Sequence, residues 1–174
     1  MGDAGRHDHP GSPPRGGRAA KKGGQDAQAL GRSRGGFGTK LHVCVDATGL
    51  PVRLILGPAQ QHDITAAHDL IQGVEAEHVI ADKAYDADPL YDRIFAQGGE
   101  PVIPPRGHRR HKHPYDRELY KERNQVENFF KRIKHYRRIA TRYDKLAETF
   151  MGFILLASIM LWLKQLNRHY GLVS

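Results

Sequence analysis

The chain is short of cysteine: Cys44 is the one thiol in 174 residues. No internal disulfide can form, which fits a reducing compartment. Cys44 lies in an apolar run and reads as a buried free thiol rather than a nucleophile. Long hydrophobic runs are also missing. The longest, "FMGFILLASIMLWL" at 150 to 163, has 14 residues, below the roughly 18 to 20 that span a bilayer. It predicts a core helix and no membrane partner. The N-terminus has no apolar centre, so no signal peptide is expected. Acids are scarce: 19 Asp and Glu stand against 27 Lys and Arg, a net charge of +8. A chain this basic favours a polyanion, of which nucleic acid is the commonest in a cell. The bases cluster, which argues for binding over simple solubility.

What is present divides at about residue 36. Residues 1–36 are Pro, Gly and base, as in "PGSPPRGGRAAKKGG", with little to bury, and are expected to be disordered. Residues 37–174 carry the folded pattern. "KLHVCV" puts Leu41, Val43 and Val45 on one face, "DATG" signals a turn, and "PVRLIL" follows, an antiparallel hairpin. "HDITAAHDLIQG" predicts a helix with Asp63 as N-cap and Gly73 beyond its end. "HVIAD" (78–82) reads as a buried strand, "ADPLYDRIFAQGG" as a helix capped by Asp88 with Pro89 first, and "PVI" (101–103) as a strand. After the basic loop "PPRGHRRHKHP", one long helix is expected from about Tyr115 to Ile139 and a last one from about Lys145 to Arg168. Phe150, Phe153, Leu156, Ile159 and Trp162 read as the core side of that last helix. Alternating strands and helices predict an α/β fold with parallel strands joined by crossovers.

Two acids stand out. Asp82 ends an apolar strand, where α/β folds place ligands; it equally reads as a residue that terminates the strand. Glu127 lies in "YKERNQVENFFKRIK". On an α-helix, Tyr120, Arg123, Glu127 and Lys134 would share an arc of roughly 60°. Two readings follow. Arg123 and Lys131 could pair with Glu127 at i−4 and i+4 on a solvated face. Alternatively, Glu127 is a hard oxygen ligand for Mg²⁺, with bases a turn away holding DNA phosphates. His108, His111 and His113 could suggest a metal, but a basic DNA-contacting loop is the reading preferred.

The spacing of Tyr120, Arg123, Glu127 and Lys134 matches the Y-(2)-R-(3)-E-(6)-K signature, and on it the chain resembles bacterial insertion-sequence transposases of the DDE type. "IADKAYDAD" is similar to the segment with their second catalytic Asp, and "LGRSRGGFGTKLHVCVDATGLPVRLILGPAQQHD" to their second and third strands. The likeness covers about Lys21 to the end. It implies a ribonuclease-H-like mixed sheet flanked by helices, and Mg²⁺-dependent DNA strand cleavage and strand transfer. Two Mg²⁺ ions would be held by Asp, Asp and Glu. Asp82 and Glu127 are the matching catalytic and metal residues; Tyr120, Arg123, Lys131 and Lys134 are the expected DNA contacts. Double-stranded DNA at transposon ends and target is the implied partner, a homodimer one open assembly, and the bacterial cytoplasm, at the nucleoid, the location.

The first Asp is not found. Asp3 and Asp8 follow no apolar run, and Asp46 sits in the hairpin turn. The first strand is therefore expected to be lacking. Gly5-Arg6-His7 can be encoded GGA CGC CAC, which one base later reads Asp-Ala-Thr. Residues 1–18 would then lie outside the family's frame, and "AKK" at 20–22 can be encoded by a slippery run of A. The expectation is a downstream frame joined to an N-terminal part by frameshifting, or a decayed fragment, inactive alone. The competing reading is a non-catalytic basic DNA-binding regulator.

Overall fold

The computed structural model describes residues 28–33 and 36–171. Three strands run first: β1 (Gly31–Ser33), β2 (Gly36–Val45) and β3 (Pro51–Pro58). They form an antiparallel sheet in that order, with Arg32 opposite Phe37 and Val43 opposite Leu54. The β2–β3 hairpin is the one predicted. Most of the expected disordered tail lies outside the described residues, but its bound at residue 36 reaches too far. Gly31–Ser33 pairs with Gly36–Gly38, because a hairpin needs only extended backbone, which this Gly-rich stretch allows.

The chain continues through α1 (Asp63–Ile71), β4 (His78–Ile80), a 3-10 turn (Lys83–Tyr85), α2 (Asp88–Ala96) and β5 (Glu100–Val102). β4 and β5 pair in parallel, Val79 opposite Pro101, as the strand-helix-strand order requires. These strands form a second sheet, so the single mixed sheet expected is two separate pieces among the described residues. Asp63 and Asp88 are the first residues of their helices; the N-caps are His62 and Ala87, neither giving a side-chain bond. Pro89 opens α2 as expected, and Gly73 and Gly98 take positive φ just past the helix ends.

The expected long helix is broken. Leu119–Arg123 is a 3-10 turn, α3 covers Asn124–Ile133, and α4 only Arg137–Ala140. The packing of Ile139 overrides the local period by bending the chain back onto the core after α3. α5 (Ala147–Tyr170) has 24 residues, long and apolar enough to cross a membrane by length and composition. One face is packed: Phe150, Ile154, Ala157 and Leu161 are buried. Leu156 and Ile159, expected in the core, are 60% and 52% exposed. An apolar residue at nearly every position leaves the sequence without a face to choose.

Two cores flank the hairpin. Leu41, Val43, Val45 and Leu54 on one face meet Phe129 and Ile133 of α3 and Ala157 and Leu161 of α5. The alternate residues Lys40 and His42 reach Asp63 of α1 on the other face. Ala67 and Ile71 of α1 then pack with Leu90, Tyr91 and Ile94 of α2 and with Ile103. Phe129 is fully buried, a contribution of about 1.5 to 3 kcal/mol from removing its surface from water. That anchor fixes α3, and so Glu127, against the sheet.

The hairpin turn fixes it again. Asp46 accepts from the Thr48 and Leu50 backbone N–H groups at 2.9 Å each. Gly49 takes φ +74 and its carbonyl accepts from Arg132 of α3.

Candidate functional site

Asp82 follows β4 and caps the 3-10 turn, its Oδ1 accepting from the Ala84 N–H at 2.7 Å. A carboxylate at a strand's carboxyl end is thus held by the backbone it terminates. The 3-10 turn Leu119–Arg123 packs against β4 and carries Tyr120 and Arg123. Burial raises the Tyr120 phenol above its ordinary range; Asp82 and Glu127 both push it further, and Arg123 opposes. The charges of both carboxylates bear on this one phenol, although 45 positions separate them.

Glu127 is half-exposed in the first turn of α3 and accepts from Arg123 Nη2 at 2.6 Å. Arg123 also lies over the Tyr120 ring, 5.9 Å from its centre. The i−4 ion pair therefore forms. The i+4 pair with Lys131 is not among the ion pairs of the described residues; Lys131 and Lys134 are exposed. The shared stripe assumed one continuous α-helix. Tyr120 and Arg123 lie in the 3-10 turn and Lys134 at the C-cap of α3, so helical spacing does not align the four. Arg123 links Tyr120, by its stacking, to Glu127, by its ion pair.

A third carboxylate lies nearby that sequence reasoning missed. Burial raises the Tyr85 phenol, with Asp63 and then Asp82 adding to the effect. Asp63 accepts from Lys40 Nζ at 3.1 Å, and His42 Nδ1 is 3.6 Å away. The His42 ring is buried, its Nε2 has no partner, and burial lowers its pKa against the pull of Asp63. The signal was available in "KLH" and "QQHD": polar residues at alternate positions of an apolar strand need a partner on the face they occupy. Among the described residues, no three His, Cys, Asp or Glu side chains form a metal-binding group.

The basic loop is anchored by acids and carbonyls of the neighbouring elements. Arg109 pairs with Asp86, whose side chain is 1% exposed, at 2.6 Å, and also with Asp88. Arg106 donates from its backbone to Asp86 and from its guanidinium to the Lys83 and Ala84 carbonyls. His113 stacks on Tyr91 at 4.4 Å. Two arginines therefore hold the loop down beside Asp82, leaving Arg110 and Lys112 exposed and without ion pairs. A cavity of about 310 Å³ opens there, lined by Lys83, Ala84, Arg106, Gly107 and His108. Cys44, expected to be buried, is half-buried, with burial raising its pKa.

Residues 6–163 match the family described as "Transposase DDE domain". The chain is 44% identical over 131 residues to a Brucella ovis protein assigned as transposase for insertion sequence element IS6501, covering 72% of this chain and 98% of that one. It is 29% identical over 143 residues to one of Burkholderia cepacia assigned to element IS402, covering 75% of this chain and 65% of that one. No solved structure matches it. A match over most of its length, with a relative 44% identical and almost fully covered, makes the chain a member of the DDE transposase family of bacterial insertion sequences.

Proposed function

We propose that this chain is the catalytic C-terminal portion of an insertion-sequence transposase, with Asp82 and Glu127 as two of its three catalytic carboxylates. The observation that carries this is the 3-10 turn of Tyr120 and Arg123, which packs against β4, the strand ending at Asp82, while its Arg123 holds Glu127 at 2.6 Å. DNA is the substrate, and the work belongs in the bacterial cytoplasm. Members of the family generally use a divalent metal. Carboxylate oxygens suit Mg²⁺, but two acids, one already paired with Arg123, do not complete a two-ion site. Asp82 and Glu127 would be its ligands, and a bound divalent ion would supply water activation and charge stabilisation for phosphodiester chemistry. Arg123, Lys131 and Lys134 neutralise phosphates beside them.

The third acid is the first strand's. Within the family match, the acids ahead of β1 are Asp8 and Asp26, and neither follows an apolar run. Sheet edges support a missing strand. Residues 39–45 of β2 pair on one side only, with β3, and β4 pairs only with β5, among the described residues. A ribonuclease-H-like fold would seat its first strand between them. An upstream reading frame would supply it. The Arg123–Glu127 ion pair favours a second reading, a DNA-binding regulator in which Glu127 merely braces the helix.

The test compares this chain with the joined two-frame protein on DNA bearing the element's ends, with Mg²⁺. Strand cleavage by the joined protein and none by the chain alone is the expected result. Cleavage by the chain alone, or none by either with DNA still bound, removes the proposal.

A further inference from the structure

A second cavity of about 310 Å³ lies away from Glu127, between the end of α3 and α5. Arg132, His135, Lys164 and Arg168 line it with Tyr136, Leu161 and Gln165, and no acid does. Like charges gathered without a counter-charge raise one another's energy unless an anion joins them. Lys40, Arg109, Lys121 and Arg123 form ion pairs, and most other bases of the described residues stand singly on the surface without lining a cavity together. Arg132, Lys164 and Arg168 form none among the described residues. The Arg132 guanidinium is oriented rather than loose. It donates to the Gly49 carbonyl, which pins one end, while its Nε is buried without an acceptor. A buried guanidinium N–H without a partner costs about 1 to 3 kcal/mol or more, so a ligand oxyanion there would recover real energy.

We infer that this cavity binds a backbone phosphate of DNA at a position separate from the cleavage site. The inference rests on the proposed function for its choice of DNA as the phosphate source. Geometry supports the pairing of the two positions. Arg132 is five residues from Glu127 on one helix, so it lies about 8 Å further along the axis and about 140° around it. Phosphates of one strand advance about 3.4 Å each along the duplex. The cavity therefore meets a phosphate a few nucleotides from one at Glu127, on a backbone that curves round α3. Such a contact carries no base information; it sets register, which a cleavage site at a fixed distance from the element's end requires.

The test is binding of the full chain to a short mixed-sequence duplex, by fluorescence anisotropy across a salt series. Lys164 and Arg168 are exposed, so the double variant Lys164→Ala, Arg168→Ala should stay folded, checked by circular dichroism. The slope of log K against log salt is expected to fall by about 1.8, with affinity down about 60-fold at 0.1 M salt and unchanged near 1 M. The charge-keeping pair Lys164→Arg, Arg168→Lys should retain the slope. An unchanged slope in the alanine variant, with DNA still bound, overturns the cavity and leaves the proposed function standing. An unchanged slope in Lys131→Ala, Lys134→Ala instead counts against the bases assigned beside Glu127 and leaves the cavity standing. Loss of binding to anionic phosphatidylglycerol vesicles without loss of binding to DNA would make the anion a lipid headgroup and overturn the inference. So would failure of the unaltered chain to bind duplex at low salt.

Discussion

Gly49→Ala isolates how the hairpin turn positions α3, the helix that carries Glu127. Gly49 has φ +74, and a Cβ built on it would lie 2.7 Å from Arg132 Nη2 and 2.9 Å from Gln125 Oε1. Both are side-chain atoms of α3, so the clash pushes the helix's own anchor away. A left-handed alanine costs about 1 to 2 kcal/mol, offset by up to about 1 kcal/mol from a less free unfolded chain. Displacing the guanidinium from the Gly49 carbonyl removes a charge-assisted bond of about 1.5 to 3 kcal/mol. The expected loss is about 2 to 3 kcal/mol. Gly73 supplies the control: φ +64 with nothing within 4 Å of its Cβ, so Gly73→Ala carries the backbone cost alone, about 1 kcal/mol. Urea denaturation followed by circular dichroism measures both. In an Arg132→Ala background the Gly49→Ala cost should fall toward that of Gly73→Ala, the remainder being the contact with Gln125. Equal costs at the two glycines in the unaltered chain, or no change in the Arg132→Ala background, would refute the coupling of turn to helix.

Two further outcomes follow from buried polar groups. His42 has its pKa lowered by burial, so the unfolded chain takes up that proton first. Stability should be full above about pH 6.5 and fall as pH drops through it, by up to about 1.4 kcal/mol per unit; His42→Gln should flatten that limb in urea midpoints from pH 7.5 to 5. Asp86→Asn leaves Arg109 without its buried partner and should cost about 3 to 5 kcal/mol. Thermal unfolding reads that loss, and faster proteolysis between residues 106 and 113 should accompany it.

The parts of the fold legible in the sequence were those set by local period and punctuation. Alternation gave away the β2–β3 hairpin, and Pro89 and the glycines after α1 and α2 marked helix ends. The break between α3 and α4 had no such marker: no Pro or Gly lies between Asn124 and Ala140, and Ile139 turns inward because the core accepts it. The exposed face of α5 was hidden for the opposite reason, an excess of apolar signal. Among the candidate site residues, Asp82 stood out at its strand end and Glu127 by its spacing, but the single helical stripe expected for Tyr120, Arg123, Glu127 and Lys134 does not form as one α-helix. A 3-10 turn puts Tyr120 where an α-helix would have put a stripe. The Asp86–Arg109 and Lys40–Asp63 pairs link positions 23 apart each, beyond any helical or strand period.

The central claim is that Glu127 does chemistry and is more than the partner of Arg123. Glu127→Gln in the joined two-frame protein tests it most directly, because glutamine keeps the shape and can still accept from Arg123 while losing the charge. Cleavage of end-bearing DNA should fall by at least about a thousandfold, the scale of losing about 4 kcal/mol of transition-state stabilisation, with duplex affinity within a few-fold of the unaltered protein. Cleavage kept at the unaltered rate would reduce Glu127 to a brace on a DNA-binding helix.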